Sequence, residues 1–265
     1  MTSDPALGRL ADRLRLNALN MVAPHGFGYL GQALSSAELF AALYANHYRP
    51  GRDRIVISPG HYIVVAFAAA AETGQMDRAL LDTYGHDGAP LEAIGTEKSP
   101  AVDLTCGSLG QGLSGAVGFA LGQKMKRENG ARVFAMISDG ELEEGQVWEA
   151  AMFAAHNRLD NLVALLDAND SQVDGPISSI TTIDPIADKF ESFGWAAFDV
   201  DGHDADAIDA AIARAVAAGR PAVVIARTST RQGLACLPDG VDGHFIKLPP
   251  ELADAARTEL EARLA

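Results

Sequence analysis

Cysteine is scarce in this chain of 265 residues, which contains only Cys106 and Cys236. Two cysteines do not suggest a disulfide framework and fit a reducing compartment such as the cytoplasm, so we expect free, at least partly buried thiols. Basic residues are also few, because 21 Lys and Arg stand against 35 Asp and Glu, a formal net charge of −14. Nucleic acids and anionic membranes bind basic surfaces, so this charge argues against general electrostatic binding of either.

Long hydrophobic runs are missing as well. Residues 62–71 are apolar but too few to span a bilayer. The first residues, Met-Thr-Ser-Asp-Pro, lack the basic segment and apolar core of a secretion signal. The length is typical of one large α/β domain, which we expect to comprise residues 1–265.

Apolar segments alternate with helical patterns along the chain. Strands are predicted at residues 54–58, 133–137, 162–166 and 222–226, and helices after residue 61, near 146–157 and at 204–218. Ser3 or Asp4 is expected to cap a first helix that starts at Pro5 and buries one apolar stripe, consisting of Leu7, Leu10, Leu14 and Met21. A loop is expected at residues 237–243, before a polar final helix. This alternation predicts an α/β fold, doubly wound, with a mostly parallel sheet and helices on both faces.

Polar side chains follow two of the predicted strands. Asp139 comes after strand 133–137, and Asn169 comes after strand 162–166. Ligands of open parallel sheets bind outside the carboxyl ends of the strands, so both side chains can converge on one ion. Mg²⁺ prefers oxygen ligands, and the Asp139 carboxylate, the Asn169 amide oxygen and the Ser171 carbonyl would leave positions for diphosphate and water. The turn at Gly140 and Glu141 offers backbone amides to the same diphosphate.

Several motifs together resemble one enzyme family. Ser138-Asp-Gly140 followed by Asn169, at an offset of 169 − 139 = 30, is similar to the thiamine diphosphate motif Gly-Asp-Gly…Asn. Residues 58–61, 107–112, 144–156, 194–195 and 201–204 resemble transketolase, in the order of that family. The resemblance extends from about His25 to His244 and corresponds to the amino-terminal, diphosphate-binding third of a complete transketolase.

This resemblance implies one half of a split enzyme that uses thiamine diphosphate and Mg²⁺. A separate carboxyl-terminal subunit would carry the pyrimidine-binding domain and the glutamate that activates the cofactor, in an α2β2 assembly. The resemblance also assigns roles to single residues. His25 would touch substrate oxygens, and His61 and His244 would lie near the diphosphate and the reacting carbon, where histidine can exchange protons.

The resemblance further places the Gly107 backbone and the Leu109 side chain against the cofactor rings. Glu144 would belong to a hydrogen-bonded path between the two cofactors of a dimer. A tight helix crossing explains the small residues of 107–121 equally well, and a solvated carboxylate at a helix start is the alternative for Glu144. His156 and His203 are assigned to structure.

The sequence departs from the family at residues 90–96, where transketolases carry a histidine that meets the donor's ketol oxygens and this chain has none.

The leading hypothesis remains transfer of a two-carbon ketol unit. A second hypothesis is transfer to a lipoyl or carrier-protein thiol, or a 2-oxo acid donor that loses carbon dioxide. A third is a non-catalytic scaffold, against which the presence of Asp139, Glu144 and Asn169 argues.

Overall fold

A computed structural model of the protein describes residues 5–241 and 243–265. The helices are α1 (Pro5–Val22), α2 (Leu30–Ala42), α3 (Ile63–Glu72), α4 (Gln111–Met125), α5 (Gly145–His156), α6 (Ile177–Ile180), α7 (Ile186–Ser192), α8 (Ala205–Val216) and α9 (Pro250–Leu264). The strands are β1 (Phe27–Gly28), β2 (Arg54–Pro59), β3 (Leu104–Cys106), β4 (Val133–Ser138), β5 (Leu162–Ala168), β6 (Ala196–Asp201), β7 (Ala222–Arg227) and β8 (Ile246–Lys247).

Six strands form one sheet in the order β3-β2-β4-β5-β7-β6, and every neighbouring pair is parallel. Successive residues of β4 alternate between two hydrophobic cores, since Phe134 and Met136 join one and Ala135 and Ile137 join the other. Helices α1, α2, α3, α8 and α9 cover the first core, and α4, α5 and α7 cover the second. The predicted doubly wound α/β fold with helices on both faces is confirmed.

The predicted elements of this fold are present with small shifts at their ends. β2, β4, β5 and β7 lie at the four predicted strands, each extended by one or two residues. The apolar stripe of α1 is buried as predicted, while the proposed capping residues Ser3 and Asp4 lie outside the described residues. Asp204 caps α8, because its side chain accepts hydrogen bonds from the amides of Asp206 and Ala207. Within the described part of the chain, no helix is long and apolar enough to cross a membrane.

The parallel sheet brings the sequence motifs to one edge. β2 ends just before the turn that carries His61, and β3 ends just before Gly107. β4 is followed directly by Asp139, and β5 is followed directly by Asn169. β2 and β5 both pair with β4, and β3 pairs with β2, so these segments leave the sheet side by side at its carboxyl edge.

Candidate active site at the carboxyl edge of the sheet

Asp139 is buried, with an exposed fraction of 2%. Its Oδ1 accepts a hydrogen bond from the Gly140 amide at 2.9 Å, and its Oδ2 accepts one from the Asp170 amide at 2.6 Å. Burial, and next the neighbouring carboxylate of Asp167, raises the pKa of Asp139 to about 8. A buried carboxylate that faces a second carboxylate is an electrostatically favourable place for a cation.

The side-chain amide of Asn169 has a fixed orientation. Its Nδ2 donates to Asp167 Oδ2 at 2.8 Å and to Tyr62 Oη at 3.1 Å. Its Oδ1 accepts a hydrogen bond from the Ser171 amide at 3.0 Å. The nitrogen therefore points into the protein, and the oxygen faces the loop after β5, on the side where the sequence predicts the metal.

Asp167 is the centre of this arrangement, and the sequence analysis did not select it. The carboxylate is fully buried. Besides Asn169, its donors are Ser35 Oγ at 2.5 Å, Tyr62 Oη at 2.8 Å and Thr228 Oγ1. Burial raises the pKa of Asp167, and these hydrogen bonds oppose the shift. A carboxylate inside an otherwise apolar strand, two residues before Asn169, is the signal that could have identified it.

The predicted oxygen donors suit Mg²⁺. Asp139 contributes a carboxylate, Asn169 an oriented amide oxygen and Ser171 a backbone carbonyl, and oxygen sets of this kind hold Mg²⁺ together with water and phosphate oxygens. Residues 5–241 and 243–265 contain no cluster of three or more His, Cys, Asp and Glu that could hold a metal by themselves. A magnesium ion held by the three predicted oxygen donors would keep positions for water and diphosphate oxygens.

Glu141 is fully buried and links three segments of the site. Its Oε1 accepts hydrogen bonds from Ser58 Oγ and from the Gly110 amide at 2.8 Å, and its Oε2 accepts one from the Ser138 amide at 3.2 Å. Burial raises the pKa of Glu141 to about 7, although these hydrogen bonds oppose the shift. The side chain thus holds the ends of β2 and β4 against the loop after β3. The predicted contact with a diphosphate would come from the backbone amides of Gly140 and Glu141, the first of which also donates to Asp139.

The loop after β3 faces open space on one side and packs tightly on the other. No atom lies within 4 Å of the position of a Cβ at Gly107, and Leu109 is 36% exposed. A Cβ at Gly110 would lie 2.7 Å from Glu144 Cβ, so the loop rests on the residue that precedes α5. The structure thus brings Gly107, Leu109 and the exposed Glu144 together at one margin of the site.

His61 and His244 form a close pair, with ring centroids 4.9 Å apart. Burial, followed by the proximity of His244, lowers the pKa of His61 to about 3, so this imidazole is neutral near pH 7. His244 Nδ1 lies 3.1 Å from Gln32 Nε2. The loop with His244 approaches α2 closely, because a Cβ at Gly31 would lie only 1.8 Å from the Gly243 carbonyl oxygen.

Tyr29, which no sequence motif indicated, lies against both histidines. Its ring centroid is 5.0 Å from that of His61 and 5.8 Å from that of His244. It occupies the position just before α2, directly after β1. A lone tyrosine has no motif of its own, so only the folded arrangement identifies it.

His25 has its described contacts elsewhere. Its Nε2 lies 2.8 Å from the carbonyl oxygen of Tyr84, and its ring lies 6.1 Å from that of His86. Among the described residues, no hydrogen bond or ring contact joins His25 to His61. Its role at the substrate therefore stays a prediction.

Residues 90–96, where the family has a histidine and this chain has none, place an apolar side chain at the turn before His61. Ile94 is 43% exposed, and a Cβ at Gly60 would lie 2.9 Å from Ile94 Cγ2. Ile94 therefore packs beside the turn that carries His61.

The remaining histidines and the two thiols have structural surroundings. His203 Nε2 accepts a hydrogen bond from the Ser229 amide at 2.9 Å, and His156 is exposed at the end of α5. Cys106 and Cys236 are free and partly buried, as expected, and burial raises the pKa of both thiols.

Comparison with known proteins agrees with this geometry. Residues 7–260 match the family described as "Transketolase, thiamine diphosphate binding domain". A transketolase family protein of Sinorhizobium fredii is 40% identical over 95% of this chain and 94% of its own length. The "6-deoxy-6-sulfo-D-fructose transketolase subunit" of a Clostridium species is 38% identical over 95% of this chain and 94% of its own length.

Longer relatives match over part of their length. Human transketolase is 33% identical over 98% of this chain, which spans only 42% of the human protein. The crystal structure of Campylobacter jejuni transketolase superposes with a TM-score of 0.89 at 24% identity, over 98% of this chain and 43% of that one. The fold of the chain is thus that of the first part of these longer enzymes.

Proposed function

Because the chain belongs to the thiamine diphosphate-binding domain family of transketolase, we propose that it is the diphosphate-binding subunit of a two-component transketolase. Residues 1–265 form one domain in this proposal, and a second polypeptide supplies the pyrimidine-binding domain. The relative named as a transketolase subunit supports this division, because its length is close to that of this chain. We further propose an α2β2 assembly in the cytoplasm, which is compatible with the two free thiols.

Thiamine diphosphate and Mg²⁺ are the proposed cofactors. Asp139, the Asn169 amide oxygen and the Ser171 carbonyl would hold the metal, and the Gly140 and Glu141 amides would meet the diphosphate. Bound thiamine diphosphate supplies the electron sink for breaking and forming a carbon–carbon bond. The observation that carries the proposal is the convergence of Asp139 and Asn169 after adjacent strands, with the Asn169 oxygen held outward by Asp167.

The chain's own residues would orient the substrate and move protons. His61 and His244 are proposed to contact the diphosphate and the reacting carbon, and a neutral His61 can accept a proton or share one in a hydrogen bond. We keep His25 as a proposed contact to substrate oxygens. The Gly107 backbone and Leu109 would border the cofactor rings.

Glu144 is proposed to join a hydrogen-bonded path to the second cofactor of the assembly. It lies next to the loop with Gly107 and Leu109, and its carboxylate is exposed toward the space that a partner would fill. A scaffold protein would need neither this carboxylate nor the buried pair Asp139 and Asp167.

A second candidate reaction keeps the same cofactor. Ile94 packs against the turn at Gly60, just before His61, and its side chain lacks the hydrogen-bonding groups that a histidine would offer to a ketose phosphate. This favours a different donor or acceptor, such as a 2-oxo acid that loses carbon dioxide, or a thiol of a lipoyl domain or carrier protein.

The test begins with an affinity-tagged chain captured from its own cells in the presence of Mg²⁺ and thiamine diphosphate. Native mass spectrometry should show a complex with a pyrimidine-domain partner and bound cofactor, and this complex should transfer a ketol unit. Turnover of xylulose 5-phosphate with ribose 5-phosphate would argue against the second candidate, whereas a lipoyl or carrier domain on the partner would favour it. A cofactor-free chain without such a partner would overturn the proposal.

A further inference from the structure

A continuous run of aromatic rings leads outward from the histidine pair. Tyr29 contacts His61 and His244, and its ring centroid lies 5.1 Å from that of Phe245. The Phe245 ring in turn lies 5.5 Å from that of Phe27, which is 54% exposed. The run of Tyr29, Phe245 and Phe27, called the aromatic run below, therefore connects the pair to solvent.

The backbone around the aromatic run is fixed by a small antiparallel sheet. β1 pairs with β8 in the register Phe27↔Lys247 and Gly28↔Ile246. Phe245 precedes β8 and Tyr29 follows β1, so the pairing of these strands brings the two rings together. Gly28 allows β1 to approach α1, because a Cβ there would lie 2.8 Å from Val22 Cγ1.

The chemistry of this wall is largely apolar. Aromatic faces bury C–H groups favourably and offer no strong partner for a phosphate, whose desolvation is costly without a cation. Among the described residues, cations lie over the rings of Trp148 and Phe198, neither of which belongs to the aromatic run. Lys247 is exposed opposite Phe27, so its charge lies at the solvent end. Ile94 adds hydrocarbon at Gly60, the residue before His61.

We propose that the aromatic run is the specificity wall for the aldehyde acceptor, and that it selects acceptors with an apolar hydrocarbon segment next to the reacting carbon. A phosphate or other charge is accepted only beyond Phe27. The inference rests on the proposed ketol transfer, and it names the acceptor class that this site takes.

The test uses the complex captured from cells, with hydroxypyruvate as donor and propanal or pentanal as acceptor. The bond between the carboxylate and the keto carbon of hydroxypyruvate breaks with loss of carbon dioxide. The remaining ketol unit bonds to the aldehyde carbon, and the aldehyde oxygen takes up one proton. Two additional methylene groups on a matching apolar wall should raise kcat/KM for pentanal over propanal about tenfold.

The variants Phe27→Ala and Tyr29→Ala should reduce this ratio to about threefold or less, since each removes part of the wall. Phe198→Ala, which removes a ring from β6, is the matched control and should keep the native ratio. Phe27 is exposed, so its variant tests the wall even if Tyr29→Ala fails to fold. Saturation-transfer NMR with unreactive 1-pentanol supplies a second readout, in which the methyl signal should appear with the native complex and weaken with Phe27→Ala.

Equal kcat/KM values for propanal and pentanal in the native complex would overturn the inference while leaving ketol transfer intact. A ratio that Phe27→Ala leaves unchanged would also overturn it. Absence of turnover with every acceptor, ribose 5-phosphate included, would overturn the proposed function and this inference with it.

Discussion

At the scale of single residues, the site is built around buried carboxylates. Asp139 is the proposed ligand of the metal, whereas Asp167 accepts hydrogen bonds from four side chains of the protein itself. Those donors come from α2, from the turn before α3, from the end of β5 and from the residue after β7. Asp167 therefore fixes the Asn169 amide and joins separate parts of the chain at the same point.

Replacing Asp167 tests this assignment. Asp167→Asn replaces one acceptor oxygen with an NH₂ group, which cannot accept hydrogen bonds from the four surrounding donors. The buried polar groups left without a partner should lower the free energy of unfolding by about 2–4 kcal/mol. Chemical denaturation measures the loss. Asp174→Asn removes a charge from an exposed residue of the neighbouring loop and should change stability by less than about 0.5 kcal/mol. A loss for Asp167→Asn no larger than that of the control would refute the role of Asp167.

His61 predicts a pH dependence of stability. Its pKa is lowered to about 3 in the folded protein, by burial and then by His244, while an unfolded histidine titrates near about 6.5. Between these values the unfolded chain binds a proton that the folded chain does not, so stability falls as the pH falls below about 6.5. The contribution reaches at most about 1.4 kcal/mol per pH unit.

Urea denaturation at several pH values between about 6.5 and 4 isolates this contribution. His61→Gln should show a shallower loss of stability with falling pH than the native protein, and His156→Gln, at an exposed position, should follow the native curve. Identical pH slopes for the native protein and His61→Gln would contradict the buried neutral imidazole.

The sequence motifs predicted where Asp139 and Asn169 lie in the fold, and no motif indicated Tyr29. Asp139 and Asn169 could be located because each directly follows an apolar strand, and parallel strands end at one edge. Tyr29 could not, because its contact with His61 and His244 depends on the paths of two loops through the β1 and β8 pair. These two-residue strands are too short to produce an alternating pattern.

At the scale of secondary structure elements, glycine sets how closely α4 lies against β2. A Cβ at Gly112 would lie 2.4 Å from the Cα, Cβ and Oγ of Ser58, the residue whose hydroxyl donates to Glu141. The small residues of 107–121, read from the sequence as either a tight crossing or a cofactor contact, thus form a tight crossing at Gly112. The exposed positions of Gly107 and Leu109 leave the cofactor contact as a prediction.

Two glycines of α4 provide a matched test. Gly112→Ala should force α4 away from β2 and lower the free energy of unfolding by about 1–3 kcal/mol. Gly118→Ala, where no atom lies within 4 Å of the added Cβ, should instead stabilise the helix by up to about 1 kcal/mol. Thermal unfolding of both variants measures the difference, and similar melting temperatures for the two would show that the close approach does not limit this position.

Strand prediction succeeded where strands are buried on both faces. β4 and β5 are continuous apolar runs in the centre of the sheet, and these runs are visible in the sequence. β3 has three residues at one sheet edge, and the partly exposed β6 lies at the other, so neither has a strong apolar signal. Whether these edge segments form strands depends on pairing with neighbouring strands rather than on a local sequence pattern.

At the scale of the whole molecule, the chain matches its relatives over very different shares of their lengths. It spans 94% of the length of two relatives but 42% of human transketolase. The six-stranded sheet places the proposed metal ligands, a histidine pair and an exposed glutamate along one edge. The proposed function requires a partner subunit that covers this edge. It also requires that the edge bind thiamine diphosphate through a metal ion.

Calorimetric titration of the captured complex with thiamine diphosphate, in Mg²⁺ or in EDTA and after bound cofactor and metal have been removed, tests this claim most directly. The native complex and Asp188→Asn, a matched charge change at an exposed residue of α7, should bind the cofactor tightly only with Mg²⁺. Asp139→Asn should weaken binding in Mg²⁺ by about tenfold or more, because it removes the charged ligand of the metal. Native affinity in Asp139→Asn, or cofactor binding that EDTA leaves unchanged, would contradict the account.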